Sequence, residues 1–171
     1  MTIAHRLIMV AALVGAAGAA TVAASPAAPS AATIKQAEPL SNEDLYRLYS
    51  QRSWIWKDGA GYFAVPQRRF SAWTGKGKNA SYGVGSWFIA DAGRLCFRAD
   101  WYVKAGAAPA LTCFSHRRKG NIIFQKREPK GDWYVFANAP VRKGDEITKL
   151  RRGDYVVARL GKVEDKLALK R

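Results

Sequence analysis

The hydrophobic pattern changes period at Ser53. Before it, Leu40-Ser41-Asn42-Glu43-Asp44-Leu45 reads as a helix start. Ser41 can cap the first turn, Asp44 stands at the third helical position, and Leu40 and Leu45 have the spacing of a hydrophobic staple. Leu45, Leu48 and Tyr49 then share one face, which predicts a short helix that ends near Ser50 and packs by that face. After Ser53 apolar and polar positions alternate and turn residues recur roughly every 8–12 positions, the pattern of an all-β sandwich or barrel.

Segments 54–57 and 61–65 flank Asp58-Gly59-Ala60-Gly61, a hairpin signal, and segments 69–74 and 80–89 flank the turn from Gly75 to Asn79. Asp91-Ala92-Gly93 leads into a long strand over 94–102. A loop of Gly, Ala and Pro separates it from a strand over 111–118, and segments 122–127, 132–137, 146–150 and 155–160 complete the set. The connections are too short for crossover helices. The fold class expected is therefore mostly β, an antiparallel meander closing into a small barrel or sandwich with one short N-terminal helix. This domain is expected over residues 40–160, after a flexible Ala-, Pro- and Ser-rich linker over 25–39 and before a basic tail over 161–171.

Strand 94–102 can be read face by face. Leu95, Phe97, Ala99 and Trp101 point to the core, and Arg94, Cys96, Arg98, Asp100 and Tyr102 point away. If Cys96 lies opposite Cys113, then Leu95 meets Phe114, Phe97 meets Thr112 and Arg94 meets Ser115, so the apolar pairs fall together on the core side. The cysteine pair would then be an external staple on the polar face.

The N-terminus bears on compartment. A short basic segment with Arg6 precedes an apolar run from Leu7 to Ala20, and Thr21-Val22-Ala23-Ala24 offers small residues for cleavage after about Ala24. The run is shorter than the roughly 20 residues of a membrane span, so residues 1–24 read as a signal peptide and no span is expected after cleavage. Export makes Cys96 and Cys113, the two cysteines of the chain, a disulfide by default, closing a loop of about 16 residues worth roughly 3 kcal/mol.

The formal net charge is +15, and cleavage removes only Arg6 of the excess, leaving Arg68-Arg69, Arg117-Arg118-Lys119, Lys126-Arg127 and Arg151-Arg152 among others. Such a surface seeks anions. For an exported chain, lipid phosphates and acidic envelope polymers come before nucleic acid. The bland reading is a solvated face kept for solubility. The six tryptophans either pack the core and its edges or line a groove for sugar rings or an apolar ligand.

Candidate chemistry is sparse. His116 is the only histidine left after cleavage and falls on the core side near the Gly93 turn, as a hydrogen-bonded structural residue or, failing that, a general base. Asp100 is its weak catalytic partner. No His pair or Cys cluster exists to hold a metal, and no cofactor is implied. Arg98 and Asp100 share a face and could form an ion pair, or Arg94 and Arg98 an anion-binding row. Arg94, Arg98, Trp101, His116 and Arg117 are the candidate ligand-binding residues.

Trp54-Ile55-Trp56 before Gly61-Tyr62-Phe63, then Phe70-Ser71-Ala72-Trp73, Gly85-Ser86-Trp87, Gly93-Arg94-Leu95-Cys96, Thr112-Cys113-Phe114-Ser115-His116-Arg117 and Gly131-Asp132-Trp133-Tyr134-Val135-Phe136 resemble the exported alphaproteobacterial domain-of-unknown-function family nine-nine-five. The resemblance spans about Leu40 to Asp154. It implies a small, disulfide-bearing periplasmic or secreted protein and brings no activity with it. The meander with Gly85-Ser86-Trp87 is more loosely similar to the lipocalin-like barrels, which enclose ligands; that is a likeness of fold without chemistry.

The leading expectation is an envelope-associated protein that binds an anionic or partly apolar ligand without catalysis. The alternatives are a structural protein docking on envelope polymers or on a partner protein, and an envelope glycan hydrolase acting through His116 and Asp100. An enclosed apolar cavity favours the first and a filled core the second. His116 bonded to a carboxylate in a cleft favours the third.

Overall fold

The computed structural model describes residues 28–168, so the leader expected over 1–24 lies outside the described residues. Among the described residues ten strands make one antiparallel sheet. They are β1 (Glu38–Pro39), β2 (Arg52–Trp56), β3 (Gly59–Phe63), β4 (Arg69–Thr74), β5 (Ser81–Ala90), β6 (Arg94–Val103), β7 (Gly106–Lys119), β8 (Ile122–Arg127), β9 (Tyr134–Ala137) and β10 (Leu150–Arg152). From β2 to β9 each strand pairs with the next, the meander expected from tight turns, and β10 returns to pair with β2. The sheet curls into a half-barrel whose end strands β9 and β10 do not pair with each other.

Among the described residues three helices accompany it: α1 (Ala31–Lys35), α2 (Asn42–Tyr49) and α3 (Val157–Ala168). The α2 helix starts as its sequence requires, with the Ser41 hydroxyl accepting from the Asp44 N–H at 3.1 Å and the staple residues Leu40 and Leu45 both buried. It lies in the concave face. Leu45 and Tyr49 are fully inaccessible there, among Phe63, Phe70, Trp87 and Phe136.

The register of β6 with β7 is the one expected from opposed cysteines: Cys96 faces Cys113, Leu95 faces Phe114, Phe97 faces Thr112 and Arg94 faces Ser115. The cysteines are bonded, with Cα atoms 4.1 Å apart. The pair does point away from the core, but Cys96 is buried rather than an exposed staple, because its cross-strand neighbours Phe88 and Cys113 flank it on both sides.

Four expectations at the ends of the domain need correction. The stretch taken as a linker is ordered from Ala31 to Pro39. Ser30 caps α1, β1 pairs with the end of β7, and Ala37 is buried. Sequence composition missed this because the ties come from far away: Arg117 donates to the carbonyls of Ile34 and Ala37 at 3.2 and 3.0 Å. Segment 146–150 is a 3-10 turn, Glu146–Lys149, leading into β10. Segment 155–160 begins a helix instead of a strand, since the Asp154 carboxylate accepts from the N–H groups of Val156 and Val157. The same helix takes in residues 161–168 of the expected tail, and Val163 and Leu167, one helical turn apart, are buried against Ala80, Trp73 and Tyr82.

The gap between β9 and β10 is bridged by the loop around Asp145, a buried carboxylate. It accepts from the Asn138 N–H at 2.9 Å, the Asn138 side-chain amide at 2.7 Å and the Arg142 N–H at 2.8 Å. Burial alone would push its carboxyl up, but these donors and the Arg142 charge hold it below the usual carboxylate range. Asp145→Ala leaves three donors without their acceptor and is expected to cost about 2–4 kcal/mol, measured as a shift in urea unfolding. A variant as stable as wild type would show that the loop does not hold the sheet ends together.

Candidate functional site

The inner face of the half-barrel carries a buried polar group at its centre. His116 from β7 and Gln125 from β8 are direct cross-strand partners, and both are fully inaccessible. The Tyr49 hydroxyl lies 2.7 Å from His116 Nε2, and the Gln125 amide nitrogen lies 2.7 Å from both of those atoms, donating to the hydroxyl. Tyr134 donates to the Gln125 carbonyl oxygen. The Gln125 amide nitrogen can only donate, so with it at 2.7 Å Nε2 is the acceptor and the imidazole proton lies on Nδ1. Burial lowers the His116 imidazole from its ordinary value to about 4 and pushes the phenols of Tyr49 and Tyr134 up, so all three are neutral near pH 7.

Toward the other end of the concave face the core opens. Trp54 and Trp56 from β2, Phe97 and Trp101 from β6, and Phe114 from β7 surround a cup of about 330 Å³. The rings brace one another: Trp54 meets the face of Phe114 edge-on at 4.9 Å, and Phe97 stacks on Phe70 at 4.2 Å. Trp54 is oriented by donating to Glu146 at 2.9 Å, and Trp56 by donating to the Thr74 hydroxyl at 3.3 Å. Trp101 needs a bare backbone beneath it. Its indole lies over Gly83, its cross-strand partner, where an added Cβ would come within 2.9 Å of the ring. Thr112 and Arg127 stand at the rim. Arg127 is exposed and has no ion-pair partner among the described residues.

The candidate residues named from sequence divide between the two faces. Trp101 lines the cup, and His116 is sealed in the core beneath α2. Arg94 and Arg117 line one cleft on the outer face, and Arg98 is exposed on that face farther along β6. His116 therefore cannot share a surface ligand with the arginines, and the expected set of five is not one site. The catalytic pairing of His116 with Asp100 does not form either. Strand alternation puts Asp100 on the solvent side of β6 and His116 on the core side of β7. Arg98 and Asp100 make no ion pair among the described residues.

The sequence offered Trp54 and Trp56 only as two of six tryptophans that pack the core or line a groove, and it passed over Phe114 and Arg127 as site residues. The register already inferred from the cysteines could have found part of the cup, because it aligns Phe97, Trp101, Thr112 and Phe114 on one face. What was missing was β2, which reaches them only through the curl of the sheet.

The family model described as Protein of unknown function (DUF995) matches residues 10–156, and the chain belongs to that family. No curated relative and no solved structure matches the chain.

The depressed His116 pKa has a testable consequence. Because the folded value lies below the unfolded one, the unfolded chain takes up the proton first as pH falls. The stability due to neutral His116 is complete above about 6.5 and declines as pH falls toward 4, by on the order of 3 kcal/mol. Urea unfolding between pH 4 and 7 should show this limb in wild type and not in His116→Gln; equal slopes in the two proteins would assign the loss to other groups.

Proposed function

We propose that the protein is an exported, envelope-associated binding protein that takes a small anionic and partly apolar ligand into the aromatic cup. The carrying observation is the contrast between the two ends of the concave face. Under α2 every large ring is buried against another, whereas at the cup Trp56, Trp101 and Phe114 keep part of their surface open around one space, with the Arg127 guanidinium unpaired at its edge. Apolar surface transferred from water is worth roughly 25 cal/mol per Å², so open rings converging on one space are a reason for a ligand to enter. The cup is near the lower limit of about 300 Å³ for ligand pockets, which suits a ring or a short acyl segment and excludes a whole lipid. Thr112 and Arg127 supply polar anchors; Glu146 is already engaged by Trp54 and Lys149.

Export to the periplasm or beyond is supported by the apolar leader expected over residues 1–24 and by the disulfide, which is compatible with an oxidising compartment. Docking on an envelope polymer or partner is the second reading. It is favoured by the filled core under α2, where Tyr49, Phe63, Phe70, Trp87 and Phe136 are all buried.

Tryptophan fluorescence titrated with decanoate and with decanol tests the binding reading. Decanoate is expected to give a saturable change that Trp101→Ala weakens about tenfold or more. Arg127→Glu is expected to weaken decanoate and to spare decanol. No saturable change with either probe, or full binding by Trp101→Ala, would refute the cup.

A further inference from the structure

The outer face of the sheet carries a second feature, independent of the cup. An open cleft of about 1010 Å³ runs between the N-terminal arm and strands β6 to β8. Its upper wall is apolar, built by Pro29, Ala31 and Ile34 of the arm. Its floor is a row laid across three strands, since β6 pairs Arg94 with Ser115 and β7 pairs Ser115 with Lys126. Neighbouring strands lie about 4.8 Å apart, so a guanidinium, a hydroxyl and an ammonium project side by side from one line. Arg117, two residues beyond Ser115, projects from the same face.

The charges of this cleft do not balance. Glu128 is the carboxylate on the floor, with one oxygen accepting from the Ser115 hydroxyl at 2.6 Å and the other 3.3 Å from the Lys126 ammonium. Arg94 is left with a single long bond from Nε to the Asp91 carbonyl, and Arg117 donates to backbone carbonyls of the arm; neither has an ion-pair partner among the described residues. Lys35 and Asp132 at the rim offset each other. The floor therefore holds three cations against one carboxylate. Glu128 also marks where acceptor oxygens sit best. Burial would raise its carboxyl, but Ser115, Lys126 and the Arg94 charge hold it below its ordinary value, so it is ionised and competes for the same donors.

We propose that this cleft binds a phosphomonoester, with the phosphoryl oxygens on the row Arg94, Ser115 and Lys126 and the organic part against the apolar arm. A phosphomonoester carries about −1.5 to −2 charge near pH 7 and three strong acceptor oxygens, which matches both the two uncompensated arginines and the three kinds of donor. A monocarboxylate supplies one charge and two oxygens, which Glu128 already does without engaging the arginines in an ion pair. Trp133, held beside Lys126 with its ring centroid 5.6 Å from the ammonium, closes the far end of the row.

Calorimetric titration with glycerol 1-phosphate tests the site in solution, and flotation with vesicles containing phosphatidic acid tests it on a membrane. Saturable binding of the soluble ester with a Kd below about 1 mM assigns a free phosphomonoester. Binding to phosphatidic acid vesicles alone, lost in Arg94→Ala/Lys126→Ala, assigns a lipid headgroup bearing the same group. In whichever arm binds, that double variant should lose affinity roughly tenfold or more, while the charge-matched Lys76→Ala/Lys78→Ala control keeps it. Glu128→Gln should gain affinity several-fold by removing the competing negative charge. Binding in neither arm overturns the proposal, as does equal loss in the two double variants or weaker binding by Glu128→Gln.

Discussion

A sheet that curls without closing has to cover its concave face, and α2 is the element that does so. Tyr49 at its last turn is the centre of that contact. Its ring lies between about 5 and 6 Å from those of Trp54, Phe63, His116 and Phe136, residues drawn from β2, β3, β7 and β9, and so from both ends of the meander. Its hydroxyl completes the buried polar group with His116 and Gln125. One side chain thus ties the first strand of the curl to the last, while Asp145 secures the same gap from the loop side. The aromatic cup lies beyond the reach of α2, which is only eight residues long.

The shape of that remaining space depends on backbone as much as on rings. Gly61 and Gly83 leave the sheet bare where Phe70 with Trp56, and Trp101, lie flat on it; a Cβ at either position would come within 3.0 Å of a ring atom. Indoles that rest on glycine can stand open to solvent on their other face and still be fixed in place. The chain thereby keeps aromatic surface available without leaving it mobile, which is the condition a preorganised binding surface has to meet.

The sheet also works as a partition. Alternation sends Phe97, Trp101 and Phe114 inward and Arg94, Arg98 and Arg117 outward, so that an apolar cup and a cationic row are separated by the thickness of one sheet. The disulfide pins β6 to β7 between them, and the β6 to β8 register that aligns Arg94, Ser115 and Lys126 is the same one that aligns Leu95 with Phe114. Geometry on one face is therefore inherited by the other. The N-terminal arm belongs to this arrangement too, because Gly93, with a φ of +71°, turns β6 away where Leu40 comes in to donate to the His116 carbonyl.

The antiparallel meander, the capped helix from Ser41 and the pairing of β6 with β7 were legible in the chain because they rest on local periodicity, a short-range cap and adjacent strands joined by tight turns. His116 on the core side was legible for the same reason: parity along a strand fixes the face once one partner is known. What could not be read was decided by contacts between distant segments. Composition made 25–39 look flexible, yet Arg117 and the edge of β7 order residues 31–39. The run 155–160, with Val156 and Val157, reads as extended, yet Asp154 caps it and Val163 and Leu167 find Trp73 and Tyr82. The five candidate ligand residues looked like one set because they are near in sequence, whereas the sheet sends them to opposite faces. Alternation is a local property, so the chain alone determines which side chains share a face; which of those faces is covered, and by what, is set by curvature and by the docking of α2, α3 and the arm, and these depend on surfaces that exist only after the sheet has formed.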